Sequence, residues 1–199
     1  MNNQLNELFE LNELKELNEL YELRELSELY ELYELRELSE LNELKELRYL
    51  KICLACSHGG HLVEMQRLMP AFEGKDCFFV TYKAESSPKL ERAYYIEYRR
   101  GYFRERLTWL KTIFAALRIV AKERPDVVIS TGGGEIAVPF CYAGKLLGAR
   151  VILVETLTRT TTKSAAGRFV YPIADLFLVQ WESLLKLYGK KAQYWGKVI

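Results

Sequence analysis

The residues best suited to chemistry lie in Ser57-His58-Gly59-Gly60-His61-Leu62-Val63-Glu64. Histidine titrates near neutrality, so His61 at the start of a helix could act as general base toward a hydroxyl. A capping or hydrogen-bonded histidine is an equally good reading of the same residue. Glu64, one turn on, would either orient that imidazole or be solvated. Gly59 and Gly60 open the helix, whose end dipole and free backbone N–H groups favour an anion.

A second glycine turn, Thr131-Gly132-Gly133-Gly134, follows an apolar strand, the edge at which open α/β sheets bind ligands. Three glycines permit close backbone approach to a diphosphate, although a tight turn needs glycine too. The loop Glu155–Ser164 also follows a strand. Its hydroxyls, Arg159 and Lys163 could hold phosphate or sugar, and Glu155 could bond a sugar hydroxyl or balance Arg159. A solvated loop is the bland alternative. Cys53, Cys56, His58 and His61 superficially resemble a zinc site, but strand residues three apart point to opposite faces, so no metal is expected.

The elements that must position these groups alternate. Strands are expected at Lys51–Cys56, Asp76–Tyr82, about Tyr94–Tyr98, Asp126–Ser130, Arg150–Glu155 and Asp175–Gln180. Helices are expected at His61–Phe72, Tyr102–Lys122, Glu135–Leu147 and Glu182–Tyr188, with a short one after Lys163. The long helix carries a stripe of Phe103, Leu107, Leu110, Phe114, Leu117 and Ala121, expected to pack on the sheet. Arg99, Arg100, Tyr102, Phe103, Arg104, Arg106 and Trp109 form a basic and aromatic run that suits a membrane interface on another face. The succession predicts an α/β fold, one Rossmann-like domain with a mostly parallel sheet over residues 51–199.

Residues 1–50 are a different kind of sequence. Leucine recurs at every third position from Leu5 to Leu50, and glutamate precedes each one from Glu7 to Glu46. The period is helical in composition, but each three-residue step falls about 60° short of a full turn, so the leucines wind around the helix and form no straight seam. A long helical arm with scope for self-association is expected. Fourteen glutamates against five basic side chains give the arm −9 and leave the rest with +10. A basic domain suits an anionic partner; nucleic acid rests on that charge alone and is not expected. The acidic N-terminus lacks an apolar core, so no signal peptide is expected, and four irregular cysteines read as reduced thiols.

Several motifs together resemble the asparagine-linked-glycosylation-protein-fourteen family and its bacterial capsule and exopolysaccharide counterparts. They are Gly59-Gly60-His61-Leu62-x-Glu64, Gly132-Gly133-Gly134 with Val138-Pro139, Val154-Glu155 with Arg159, Gly167-Arg168 with Tyr171, Val179-Gln180-Trp181, and Tyr194-x-Gly196-x-Val198. The resemblance implies the N-terminal, acceptor-binding half of a GT-B glycosyltransferase, inverting and without metal or cofactor, inactive alone. It implies that a separate donor-binding subunit brings the UDP-sugar, the chemistry being N-acetylglucosaminyl or another hexosyl transfer to a lipid-linked diphosphate sugar. The glycine–histidine turn is also similar to that of the peptidoglycan lipid-intermediate N-acetylglucosaminyltransferase. By resemblance His61 becomes the base, with Glu64 beside it, and Gly59, Gly60, Gly132, Gly133, Gly134, Glu155 and Arg159 become diphosphate or sugar contacts. The transmembrane anchor of eukaryotic members has no counterpart here, so peripheral attachment to the cytoplasmic face through the basic aromatic run is expected. A stand-alone nucleotide-binding module, or an assembly protein organised by the arm, is the alternative.

Overall fold

The computed structural model describes residues 34–38, 50–83, 90–97 and 102–198, without the side chains of 102–108. The chain divides into two units, Met1–Arg48 and Tyr49–Ile199. In the first, residues 34–38 are helical, and the rest of the expected arm lies outside the described residues.

The second unit is built on β1 (Lys51–Cys56), β2 (Asp76–Tyr82), β3 (Ala93–Ile96), β4 (Val127–Gly132), β5 (Arg150–Val154), β6 (Leu176–Val179) and β7 (Ala192–Tyr194). Their order is β3-β2-β1-β4-β5-β6-β7, and every neighbouring pair is parallel. Between them run α1 (Gly60–Leu68), α2 (Tyr102–Glu123), α3 (Gly134–Leu146), α4 (Ala165–Val170) and α5 (Ser183–Tyr188). The order reverses between β1 and β4, the switch point at which crossovers leave in opposite directions and open a crevice above the strands' carboxyl ends. The expected α/β architecture is the observed one. Strand β7 was not expected; it is three residues long with only Ala192 buried, too short for an alternation to register.

Strand periodicity sorts the core into two layers. Cys53 and Ala55 join Phe78, Val128, Phe140 and Phe177 on one face, while Ile52, Leu54 and Cys56 meet Leu62, Met65 and Ile129 on the other. The two cysteines therefore point to opposite sides of the sheet, and burial pushes the Cys56 thiol up to about 12. No described group of three or more His, Cys, Asp or Glu is placed to hold a metal ion.

Helix α2 corrects an expectation. Its buried face is Thr112, Ala116, Val120 and Glu123, spaced four, four and three residues apart, whereas Leu110 and Phe114 of the expected core stripe are 62% and 69% exposed. Small side chains at Thr112 and Ala116 let α2 lie close on the layer beneath, while Leu110 and Phe114 face outward. Leu117, at the border of exposure, faces a groove described below. No helix among the described residues is long and apolar enough to cross a membrane.

Candidate functional site

The loops after β1 and β4 meet at the switch point. His61 is the second residue of α1, and its Nδ1 lies 3.0 Å from the carbonyl oxygen of Thr131 at the end of β4. A carbonyl only accepts, so Nδ1 carries the proton in this contact, and in neutral imidazole Nε2 is then the basic nitrogen. Among the described residues Nε2 has no hydrogen-bond partner. The Thr131 hydroxyl returns a bond of 2.7 Å to the His61 carbonyl, and Ser57 N–H reaches the Gly132 carbonyl at 3.3 Å.

Two of the glycines are required by geometry. A Cβ on Gly132 would stand 2.7 Å from His61 Cε1 and 2.8 Å from Nδ1, inside contact distance, so the imidazole occupies space that only glycine leaves. Gly133 has φ +83°, and a Cβ there would lie 2.8 Å from the backbone nitrogen of Ser57. Gly59 and Gly133 precede α1 and α3, and neither helix start receives a side-chain cap. First-turn N–H groups of both helices are thus left for an anion or solvent. Gly60 and Gly134 are the first residues of those turns.

The two carboxylates hold other positions than the sequence suggests. Glu64 is buried, and its Oε1 accepts from the Thr156 hydroxyl at 2.9 Å and Leu157 N–H at 3.1 Å, while Oε2 is buried without a partner. It ties the loop after β5 to α1; the Thr131 carbonyl, not Glu64, orients the imidazole. Glu155 is 2% exposed and accepts from Thr156 N–H, from the Ser164 hydroxyl at 3.0 Å and from Tyr188. Its expected partners were a sugar hydroxyl or Arg159. Burial and four donors, the Ser164 N–H among them, commit it instead to fastening α4 and α5, and Tyr188, beside that carboxylate, has its phenol pushed up by burial first and by Glu155 second.

The loop Glu155–Ser164, for which a solvated segment was the bland alternative, is pinned at its start. Trp181 Nε1 donates to the Leu157 carbonyl at 2.7 Å, and the Gln180 amide donates to the Glu155 carbonyl at 2.9 Å. This gives the Gln180-Trp181 pair a positional role. Arg159 remains exposed, with one contact of 3.2 Å to Thr162 Oγ1. It lines a cavity of about 440 Å³ with Lys163 and Arg168, the last a cation that the sequence reading placed in a motif but not in the site. Its place in Gly167-Arg168, in the last turn of the short helix that Ser164 caps, was the available signal. Arg99 and Arg100 lie outside the described residues, as do the side chains of Tyr102, Phe103, Arg104 and Arg106. Trp109 is 44% exposed and lines an apolar groove of about 730 Å³ between α2, α3 and α4.

Solved structures share this arrangement. Acinetobacter baumannii MurG superposes with a TM-score of 0.58 at 16% identity, covering 73% of this chain and 45% of that one. A UDP-GlcNAc 2-epimerase from Methanocaldococcus jannaschii gives 0.58 at 16% identity, with 74% and 46% covered. The chain spans about half the length of these proteins, and at such identity the likeness speaks for the fold. Among curated relatives, the rat UDP-N-acetylglucosamine transferase subunit ALG14 is 26% identical over 180 residues, covering 74% of this chain and 82% of that protein. The Candida albicans subunit of the same name is 28% identical over 174 residues, with 75% and 78% covered. The family described as "Oligosaccharide biosynthesis protein Alg14 like" matches residues 88–198, a stretch that takes in the second glycine turn, Glu155 and Arg159 and leaves His61 ahead of it. With more than half its length in that match and its motifs on one edge of a GT-B-type sheet, the chain belongs to the Alg14 family, as a glycosyltransferase subunit.

Proposed function

We propose that the chain is the acceptor-binding subunit of an inverting UDP-N-acetylglucosamine transferase, acting on a lipid-linked diphosphate sugar at the cytoplasmic face of a membrane. A separate donor-binding chain brings the UDP-sugar. The observation that carries this reading is the His61–Thr131 contact at the switch point: it fixes the proton on Nδ1 and leaves Nε2 basic, beside two helix starts suited to phosphate.

In the reaction, an acceptor sugar hydroxyl attacks the anomeric carbon of the donor. The new C–O bond forms as the bond to the UDP oxygen breaks, UDP leaves with that electron pair, and the hydroxyl proton passes to His61 Nε2. The Thr131 carbonyl stabilises the imidazolium through Nδ1–H. The N–H groups of Gly134 and Glu135 and the cations of the neighbouring cavity hold the acceptor diphosphate. Exposed Trp109, Leu110 and Phe114 on α2, flanked by Lys111 and Arg118, supply the face that rests on the membrane.

The test is transfer of radiolabel from UDP-N-acetylglucosamine to membrane lipid extract, by the full chain with and without the product of the neighbouring gene. Transfer is expected only with both. Transfer by this chain alone would overturn the subunit reading, and a stable complex that moves no sugar from any UDP-sugar would overturn the catalytic one.

A further inference from the structure

The groove and the basic cavity are adjacent parts of one surface. Ala165 and Phe169 line both. A Cβ on Gly134 would stand 3.7 Å from the Cβ of Ala165, so the start of α3 meets both at the same place. From there the groove runs along α3 with an almost wholly apolar lining, including Leu146 at 76% exposure and Phe169 at 61%. A soluble surface seldom presents so many large apolar groups in one contiguous hollow without an occupant. The wall is held in place: the Tyr142 hydroxyl on α3 donates to the Phe169 carbonyl on α4 at 3.0 Å. At the other side of Phe169, none of Arg159, Lys163 and Arg168 is paired with a carboxylate among the described residues. Arg159 bonds Thr162, and Lys163 lies over the Tyr188 ring, 4.9 Å from its centroid. Of the groove lining, the one acid is Glu135, exposed and in the first turn of α3.

We infer that the paired cavities hold one amphiphile: a diphosphate between Arg159, Lys163, Arg168 and the start of α3, with the first part of its hydrocarbon chain in the groove between Trp109, Leu146 and Phe169. This rests on the lipid-linked acceptor proposed above and assigns the lipid a seat on the protein. The volume, about 730 Å³, is in the range of small-molecule sites, roughly 300–1,000 Å³. Charge complementarity selects the occupant: apolar surface alone would suit any greasy partner, but a tricationic pocket at one end of it suits a chain with an anionic head. The remainder of a long chain would leave past Leu146. The acceptor is thus recognised by its lipid as well as by its sugar.

The experiment titrates the purified full chain with geranylgeranyl diphosphate, inorganic pyrophosphate and geranylgeraniol. The expected result is binding of geranylgeranyl diphosphate at least about tenfold tighter than either fragment. The double variant Leu146→Asp, Phe169→Asp, altering two exposed side chains, should reduce it to the level of pyrophosphate with an unchanged circular dichroism spectrum; Arg168→Ala should weaken both diphosphates. Equal affinity for geranylgeranyl diphosphate and pyrophosphate, or an unaltered double variant, would overturn the inference. So would a double variant that loses only its binding to phosphatidylcholine vesicles free of prenyl lipid, since the groove would then be a bilayer contact. In parallel, the complex with the donor-binding chain is offered acceptors with a methyl and with a long prenyl group. The double variant should lose about tenfold on the second alone. Absence of transfer to either acceptor by the unaltered complex counts against the proposed acceptor, and the titration still judges the groove.

Discussion

His61 and Thr131 exchange two hydrogen bonds in opposite directions: the imidazole Nδ1–H donates to the threonine carbonyl at 3.0 Å, and the threonine hydroxyl donates to the histidine carbonyl at 2.7 Å. One bond sets the tautomer and the other sets the backbone that carries the ring. Strand β4 therefore orients a ring carried by the first turn of α1, across the switch point.

The two bonds have separable effects. His61→Ala should lower kcat of the reconstituted transferase by about 10²–10⁴-fold without preventing assembly with the donor-binding chain. Thr131→Val keeps the carbonyl and removes the return bond, so it should cost about 1 kcal/mol of stability and a smaller part of kcat. Steady-state kinetics with a co-purification assay on both variants checks this. Wild-type kcat in His61→Ala would remove His61 from the chemistry.

Gly132→Ala tests the seat of the ring rather than its chemistry. The added methyl would meet Cε1 and Nδ1, and φ +123° is strained for alanine. The ring must move or the turn must distort. Activity should fall by at least about tenfold, with a drop in melting temperature; activity equal to wild type would mean that the imidazole has room elsewhere.

Glu64 should behave as a positioning residue. With Oε1 on Thr156 and Leu157, Glu64→Ala frees the start of the loop that carries Arg159. The expected signature is a rise in acceptor KM of about tenfold with kcat little changed, partly rescued by Glu64→Gln, which keeps an amide oxygen for the same donors. If Glu64→Ala instead lowered kcat as severely as His61→Ala with KM unaltered, the carboxylate would return to the chemistry.

What the sequence made legible follows from how each signal arises. The runs at Lys51–Cys56 and Asp76–Tyr82 are apolar because both faces of those strands are buried, and the two glycine turns mark the carboxyl ends of β1 and β4, so the edge carrying the site could be located. The stripe on α2 misled because size is a poor guide to which face packs: Thr112 and Ala116 lie underneath and Phe114 outside. The orienting group for His61 was hidden because it is a backbone carbonyl seventy residues away, and backbone atoms leave no trace in residue identity. Glu64 and Glu155 were read as candidate site residues, but residue type does not tell a carboxylate that meets ligand from one that fastens a loop.

The far end of the sheet offers a test of stability independent of the site. Glu123, the last residue of α2, is buried and accepts from Lys51 Nζ at 2.6 Å, from Arg92 Nη2 at 2.5 Å and from the Tyr94 hydroxyl. These partners join the end of α2 to the first residue of β1 and to the β2–β3 edge. The Lys51 bond first, then the Tyr94 bond, hold its carboxyl down to about 2 against an ordinary 4.5, with burial opposing. A carboxyl lowered on folding binds its proton more readily in the unfolded chain. Its stabilisation is therefore complete above about pH 4.5 and is lost as pH falls toward 2. Glu123→Gln should unfold about 2 kcal/mol more easily at pH 7, and the gap to wild type should narrow between pH 4.5 and 2 in denaturant titrations. Asp175, also lowered by Lys145, leaves both proteins some acid sensitivity, so the difference between them is the quantity to follow. Lys51 begins the strand whose other end leads to His61, which separates this cluster from the site by the length of β1. Transfer activity at pH 7 should accordingly be unchanged in Glu123→Gln, and a gap in stability that stays constant down to pH 2 would mean that the carboxylate does not carry the linkage.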